Sequence, residues 1–290
     1  MSIGIHYKNQ QHIYDEVQYP LEKTGDSVPY LSYPLLSETG IVNHGFSTKL
    51  GGVSEGCYAS MNLGFNRGDA EENVRENYRR FGAAIGVEVE DMVLSKQTHT
   101  TNVRIITEAD RGNGLTVPQA FSDVDGMITN VPGLCLVTFY ADCVPLYFVD
   151  PVRKAIGLSH SGWRGSVGKI GKITVEQMVQ TYGCNPSDIL ATIGPSVCQD
   201  CYEVSEDVIE QFRTHYDETY WESLFYKKEN GHYQLNLWRA NEIVFLESGI
   251  LPEHMAVSNV CTHCNHEVLY SHRAMGNERG SLCAFLALKK

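Results

Sequence analysis

Four apolar segments follow one another between residues 126 and 161, and no helical pattern separates them. Several are continuous apolar runs, which are typical of central strands covered on both faces. Strands that adjoin without a helix between them favour a mixed sheet over a doubly wound parallel one. The sequence therefore predicts a single α+β domain, with mixed β-sheets layered with flanking helices. Strands are predicted in this region at 102–107, 126–129, 134–140, 145–149 and 155–159.

The segments on either side predict further strands and several helices. Asp69 can cap a helix over 70–85, and Gly86 can end it. A second helix is predicted from Ser166 to Gly183. Residues 1–40 are polar and interrupted by prolines, which predicts a lead-in segment with an edge strand before a domain over 41–290. The remaining predictions are helices at 205–215 and 236–248, and strands at 42–48, 188–193, 255–260 and 267–272.

Composition describes an ordinary globular protein with a substantial core. The chain has 290 residues, 42% of them hydrophobic, and a net charge of −12, which argues against general nucleic-acid binding. The longest apolar run is broken by Pro132, Asp142 and Pro145, so it cannot span a membrane. Nine cysteines without a secretory signal pattern predict free thiols and a cytoplasmic location. The oligomeric state stays open.

One cysteine and two histidines lie at the ends of predicted strands. Cys143 follows one apolar run, His160 ends the next run, and His99 follows an earlier, shorter one. Two histidines and a thiolate are the three protein ligands of an open catalytic zinc site, and the set also suits Cu²⁺. Cys143 and His160 could instead form a metal-free nucleophile–base pair. Asp142, at the end of a buried strand, needs a partner or a chemical role, and we predict that it moves protons.

A glycine-rich corner after His160 is a candidate anion site. Gly162 and Gly165 allow a sharp turn, and a helix that starts near Ser166 would point free N–H groups at a phosphate. Arg164 could add a bidentate contact to the same anion. The alternative is a tight corner with a surface arginine.

A second glycine turn offers more polar groups. Thr48, Lys49 and Asn62 suit hydrogen bonding to a phosphate or a ribose, although a simple hairpin loop would look similar. We predict these three residues as substrate-binding residues.

Two CxxC pairs form a separate cluster in the sequence. Cys198 and Cys201 make up the first pair, and Cys261 and Cys264 the second. By spacing alone this arrangement is similar to a structural zinc site. The gap between the pairs is longer than in a compact zinc ribbon, so two sets of unrelated buried thiols remain the alternative.

Eight motifs in order resemble one family from about residue 40 to the C-terminus. They read HGFSTKLGGVS, SMNL, QTHT, DVDGMIT, ADCVPLYFVD, IGLSHSGWRG, IGPSVCQDCYEV and YSHR…RG. The chain is similar to the purine nucleoside phosphorylase / polyphenol oxidase family, also known as the laccase-domain family. The resemblance implies a mixed-sheet α+β domain and a zinc or copper ion. It also implies that His99, Cys143 and His160 hold that metal.

The same resemblance implies phosphorolysis of adenosine, inosine, guanosine and methylthioadenosine, with some adenosine deamination. Two classes of enzyme remain as alternatives: a copper-dependent polyphenol oxidase, and a metal-free cysteine hydrolase that uses Cys143 and His160. The chain departs from the family pattern at Lys49, where an arginine is usual, so that a point charge replaces a bidentate group. The C-terminal RGSLCAF departs as well, which leaves Arg279 and Ser281 without an assigned role.

Overall fold

The computed structural model describes residues 3–22, 25–65 and 67–290. Its strands are β1 (Asp15–Pro20), β2 (Ser27–Ser32), β3 (Val42–Ser47), β4 (Met92–Leu94), β5 (Val103–Ile105), β6 (Gly126–Thr129), β7 (Cys135–Tyr140), β8 (Val144–Asp150), β9 (Ala155–Ser161), β10 (Leu190–Ile193), β11 (Glu203–Val204), β12 (Phe225–Lys227), β13 (Tyr233–Leu235), β14 (Met255–Ala256) and β15 (Leu282–Leu288). Its α-helices are α1 (Pro34–Ser37), α2 (Glu71–Ile85), α3 (Trp163–Val167), α4 (Ile170–Tyr182), α5 (Glu206–His215), α6 (Trp221–Leu224), α7 (Leu237–Glu247) and α8 (His272–Met275).

Two six-stranded sheets form the centre of the fold. The first has the order β1-β2-β3-β15-β7-β4 and the second the order β14-β10-β8-β9-β6-β5, while β11, β13 and β12 form a small third sheet. Both large sheets are mixed. In the first, β4 is parallel to β7 and β15 is antiparallel to both of its neighbours; in the second, β5 is parallel to β6 and β8 is antiparallel to β9. The predicted mixed-sheet α+β class is confirmed.

The central strands are buried on both faces because alternate residues enter different cores. On β8, Leu146 and Phe148 pack with the helical side of the second sheet. The intervening Tyr147 and Val149 pack between the two large sheets. β15 divides its side chains in the same way, so that Phe285 packs with α2 on the outer face of the first sheet. The continuous apolar runs therefore do correspond to central strands.

Several predicted elements need correction. The helix predicted from Ser166 to Gly183 is two helices, α3 and α4, separated at Lys169, which has a left-handed φ of 55°. Ser166 therefore lies inside a short helix and does not begin a long one. The residue that caps α2 is Ala70, because the Asp69 carboxylate instead accepts hydrogen bonds from Ser54 and Asn62.

The C-terminal strand predictions were also partly wrong. The strand predicted at 255–260 is confined to β14, and the segment 267–272 is a series of turns that leads into α8. The lead-in segment contains two strands, since β2 pairs with β3 and β1 forms the edge of the first sheet. The boundary at residue 41 stays a prediction. No helix of the described chain is both long and apolar enough to cross a membrane.

The packing of β8 against α7 yields a stability prediction. The Phe148 ring is fully buried, and its centroid lies 5.2 Å from that of Phe245. Phe148→Ala should lower the free energy of unfolding by about 3–5 kcal/mol in urea denaturation, because it leaves a cavity between sheet and helix. Val152→Ala, at a side chain that is 66% exposed just after β8, should change it by less than about 0.5 kcal/mol. Equal effects of the two substitutions would contradict this core.

Candidate metal centre and its cavity

The pairing of β8 with β9 brings two of the candidate ligands side by side. Cys143 directly precedes β8, and Pro145 on that strand lies opposite His160 on β9. His99 comes from the loop between β4 and β5, where its φ of 65° places it in the left-handed region. Three segments that are distant in sequence therefore meet at one end of the second sheet.

The three side chains form a compact donor set. One donor atom from each of His99, Cys143 and His160 lies within 4.8 Å of the others. The distance from His99 Nε2 to Cys143 Sγ is 3.9 Å. A tetrahedral zinc ion with ordinary Zn–N and Zn–S lengths would hold these two atoms about 3.6 Å apart. The set is therefore nearly spaced for a metal ion.

Gly162 leaves room beside this donor set. A Cβ atom at this position would lie 3.1 Å from His99 Cδ2 and 3.3 Å from Cys143 Sγ. Because Gly162 has an ordinary φ of −70°, its backbone conformation does not require glycine. The close approach of this position to the side chains of His99 and Cys143 is what favours glycine. The donor set therefore fits an ion of the expected kind.

The sequence analysis missed Asp125, which organises the donor set. Its fully buried carboxylate accepts a hydrogen bond from His160 Nδ1 at 2.8 Å. The same carboxylate accepts backbone N–H bonds from Thr98, His99 and Thr100 at 2.9–3.1 Å. Such a carboxylate–histidine pair orients the other ring nitrogen, Nε2, toward a metal. The signal was present in DVDGMIT, where a carboxylate precedes the buried strand β6.

Electrostatics favour a thiolate at this position. Burial acts to raise the pKa of Cys143, but the charge of His160 and hydrogen bonds with His160 and His99 outweigh it and lower the pKa from 9.0 to about 6. For His160, burial acts to lower the pKa, and the charges of Cys143 and Asp125 raise it to about 9. The thiolate is the form of cysteine that binds metals.

A cavity of about 500 Å³ opens over the donor set. Its walls combine aromatic, cationic and uncharged polar side chains with one carboxylate, Glu71, which pairs with Arg75 at 2.6 Å; this composition is typical of small-molecule sites. The aromatic residues are Phe65, Phe139 and Tyr140, the cations are Arg67, Arg75, Lys96 and Arg279, and the polar residues include Ser95, Gln97, Gln119 and Ser281.

Arg279 is the most unusual of the cations. The residue is only 7% exposed, and its Nε–H has no hydrogen-bond partner among the described residues. One donor, Nη1, reaches the carbonyl of Gly280. Burial and the nearby charge of Arg67 lower its pKa to about 10, so it remains protonated at neutral pH. A buried guanidinium with an unused donor needs an anionic partner.

The predicted substrate-binding residues lie elsewhere, outside the cavity wall. Thr48 Oγ1 donates to the carbonyl of Pro29, and Lys49 Nζ donates to the carbonyl of His266. The Arg164 guanidinium stacks on the ring of the neighbouring Trp163, 4.2 Å from its centroid. The structure does not bring these three side chains to the donor set.

Asn62 acts on the cavity from behind its wall. Its Oδ1 accepts N–H bonds from Gly64 at 2.9 Å and from Ser281 at 3.0 Å, and both of those residues line the cavity. The amide is fully buried, so its contact with a ligand is indirect.

Asp142 also faces away from the cavity. Its carboxylate accepts a hydrogen bond from Thr262 Oγ1 and another from the backbone N–H of Arg273, each at 2.6 Å. Its own carbonyl accepts from the N–H of Val197 at 3.0 Å. These bonds tie two neighbouring loops to the residue before Cys143. The proton-moving role predicted for Asp142 stays a prediction.

Two imidazoles and one thiolate beneath a cavity are the arrangement of a small-molecule enzyme with an open metal site, since structural metal sites have four protein ligands. The comparisons with known proteins agree with this class. The chain belongs to the family described as multi-copper polyphenol oxidoreductase laccase, whose family model matches residues 43–289.

Relatives in this family carry two enzyme names. The purine nucleoside phosphorylase YlmD of Bacillus subtilis (strain 168) is 34% identical over 247 residues, which cover 85% of this chain and 88% of the relative. The adenosine deaminase RL5, from an unknown prokaryotic organism, is 32% identical over 238 residues, which cover 81% of this chain and 90% of the relative. The crystal structure of YlmD from Geobacillus stearothermophilus superimposes with a TM-score of 0.86 at 31% identity, covering 96% of this chain and 99% of that one.

The role of Asp125 can be tested by metal affinity. Asp125→Asn should weaken zinc binding about 10–100-fold, because the amide no longer fixes the orientation and tautomer of His160. Competition with a chromophoric chelator measures the affinity. Asp123→Asn is the matched control, since Asp123 bonds to Thr98, Thr100 and Asn102 but not to His160. If both variants bind zinc equally well, the Asp125 carboxylate does not orient the ligand.

Proposed function

We propose that the protein is a metal-dependent purine nucleoside phosphorylase. It converts a purine nucleoside and phosphate into the free base and ribose-1-phosphate. The observation that carries the proposal is a single cavity in which an aromatic wall and a buried, unsatisfied arginine face the His₂Cys donor set. The phosphorylase name of a relative that covers 85% of the chain supports it. Adenosine, inosine, guanosine and methylthioadenosine are the proposed substrates.

Phosphate is held in this proposal by Arg279 and Arg67. A phosphate oxygen forms a bond to C1′ of the ribose while the bond from C1′ to the purine nitrogen breaks. The electron pair of that bond leaves with the base, which takes up a proton. The guanidinium of Arg279 can donate its unused Nε–H to the attacking anion and orient it, because the dry environment strengthens charge-assisted bonds.

The purine and ribose occupy the aromatic part of the cavity. Phe65, Phe139 and Tyr140 provide apolar faces for a flat base. Gln97 is fixed against the Phe139 backbone, since its Oε1 accepts bonds from Ser95 and the Phe139 N–H, and its Nε2 donates to the Phe139 carbonyl. Because these side chains are already held in place, the wall orients the nucleoside without having to become ordered on binding.

The proposed metal ligands are His99, Cys143 and His160, with Zn²⁺ as the expected ion and Cu²⁺ as the second choice that the donor set allows. A bound zinc ion would supply a Lewis acid and lower the pKa of a water molecule to about 7. Asp125 would hold the His160 ring in place, and Gly162 would keep the space beside the ligands free.

Adenosine deamination is proposed as a side activity, because one relative is named an adenosine deaminase. In this reaction, water attacks the amino-bearing carbon of adenine and ammonia leaves. Asp142 is the candidate for moving protons, although its carboxylate already accepts two hydrogen bonds from the protein.

The phosphorylase proposal is tested with adenosine or inosine in the presence and absence of phosphate. We expect phosphate-dependent release of base and ribose-1-phosphate by protein with assayed zinc, and at least about a 100-fold loss in Cys143→Ala as a ligand is removed. Release that needs no phosphate would contradict phosphorolysis. Oxidation of phenols by copper-loaded protein would favour the polyphenol oxidase instead. Hydrolytic activity of metal-free protein would favour the cysteine hydrolase.

The role of Arg279 is tested by a charge-removing substitution of similar size. Arg279→Met should raise the KM for phosphate about 10–100-fold, the equivalent of one charge-assisted hydrogen bond, and change the KM for inosine much less. Steady-state kinetics with each substrate varied in turn gives both values. Arg79→Gln, at an exposed arginine on α2 that pairs with Glu76, is the control and should match the wild type. An unchanged phosphate KM in Arg279→Met would place the anion elsewhere.

A further inference from the structure

The two CxxC pairs, which the proposed function does not use, come together in the fold. Cys198 and Cys201 follow β10, and Cys261 and Cys264 follow β14. β10 and β14 are parallel neighbours, and a bridge between Ser196 and Cys261 continues their pairing. The two loops therefore leave the same sheet edge side by side, which brings together the two pairs that 59 residues separate in the sequence.

The four sulfur atoms form a compact group. All four lie within 4.8 Å of one another. Sγ of Cys201 and Sγ of Cys264 are 3.6 Å apart, whereas a tetrahedral zinc ion with Zn–S bonds of about 2.3 Å separates its sulfur ligands by about 3.8 Å. All the cysteines of the chain are free thiols. The spacing is thus that of ligands around one ion rather than that of a formed disulfide.

Backbone and charged groups around the sulfurs suit thiolates. Two N–H groups point at Cys261 Sγ: that of Cys198 at 3.3 Å and that of Cys264 at 3.5 Å. The ammonium of Lys8 pairs at 3.2 Å with Asp200, which lies between Cys198 and Cys201 in the chain, so a cation stands beside this loop. Donors and a cation beside a cluster of sulfurs stabilise negative charge on them.

Burial differs among the four cysteines in a useful way. Cys198 and Cys261 are buried, at 4% and 0% exposure, whereas Cys264 is exposed. Two inner ligands and an outer pair give an ion a route from solvent into the cluster.

We propose that Cys198, Cys201, Cys261 and Cys264 bind one zinc ion in a closed, structural site, separate from the His₂Cys centre. Four thiolate ligands complete the tetrahedral coordination of the ion, so this site has no position for water or substrate. It joins the loop after β10 to the loop after β14. The proposal does not depend on the reaction that the protein catalyses.

The site also has a consequence for the His₂Cys centre. Thr262, between Cys261 and Cys264, donates its hydroxyl to the Asp142 carboxylate at 2.6 Å. Val197, next to Cys198, donates its N–H to the Asp142 carbonyl at 3.0 Å. Both loops that the zinc ion would join are thus anchored to the residue before Cys143. The structural ion fixes the backbone that presents that ligand.

The test measures the zinc content of the purified wild type and of variants at single cysteines. Elemental analysis should find about two zinc ions per chain in the wild type and about one in Cys264→Ser, as a four-ligand site loses one thiolate. Cys57→Ser is the matched control, because Cys57 is also exposed but lies outside both clusters, and it should keep both ions. Cys143→Ala should likewise lose about one ion, and Cys143→Ala/Cys264→Ser should retain almost none.

A spectroscopic measurement covers the case in which Cys264→Ser does not fold. Folded Cys143→Ala protein loaded with Co²⁺ should show the strong sulfur-to-cobalt charge-transfer bands of a tetrahedral thiolate site, since these four cysteines are the cluster of thiols that remains among the described residues. Absence of these bands would overturn the proposal. So would equal zinc content in Cys264→Ser and wild type, or a disulfide between Cys201 and Cys264 found by non-reducing peptide mapping of freshly purified protein.

Discussion

The carboxylate of Asp125 is the group on which the candidate centre depends. A fully buried carboxylate is costly unless hydrogen bonds compensate it, and here it receives three backbone N–H groups and one imidazole N–H. The backbone bonds hold the loop of His99 in its left-handed conformation, and the imidazole bond directs Nε2 of His160 toward Cys143. One charge thus sets the positions of both histidines. The resulting cluster in turn lowers the pKa of Cys143 and prepares the thiolate.

The cavity shows that net charge says little about a local site. The chain carries a net charge of −12, yet four cations line the cavity. The cation that matters most physically is Arg279, because it is buried and incompletely hydrogen-bonded, while Lys49 and Arg164 have found partners elsewhere. A buried cation acts on an anion with little screening by solvent, whereas exposed charges are screened. The sequence departs from the family pattern in the RGSLCAF segment, which contains Arg279, and at Lys49. The anion specificity that we propose therefore rests on the first departure and not on Lys49.

The two cysteine-containing clusters differ in the number of candidate ligands, three in one and four in the other. That difference distinguishes a catalytic metal site from a structural one. Three donors would leave a bound metal with one open position toward the cavity, and four donors would leave none. Asp142 connects the two clusters: it precedes Cys143 in the chain and accepts hydrogen bonds from both loops that carry the CxxC pairs. Loops are ordinarily the most mobile part of a fold. A clamp on these loops is what would keep an adjacent ligand in a fixed position.

The sequence by itself determined the class of fold and pointed to three candidate metal ligands that the structure brings together. Continuous apolar runs such as that of β8 require burial on both faces, and polar residues at their ends, such as Cys143 and His160, must collect at the end of a sheet. Local pattern placed Asp125 before a buried strand but could not show its partner, and it gave neither the burial of Arg279 nor the break at Lys169. Asp125 acts on His160, which is 35 residues away in the chain, and Arg279 matters because it is buried in the cavity wall. The break at Lys169 is a left-handed residue inside a helical pattern. Only the tertiary structure decided which cations line the cavity and which thiols meet, because those contacts depend on how two sheets and their loops pack and not on the order of residues along either strand.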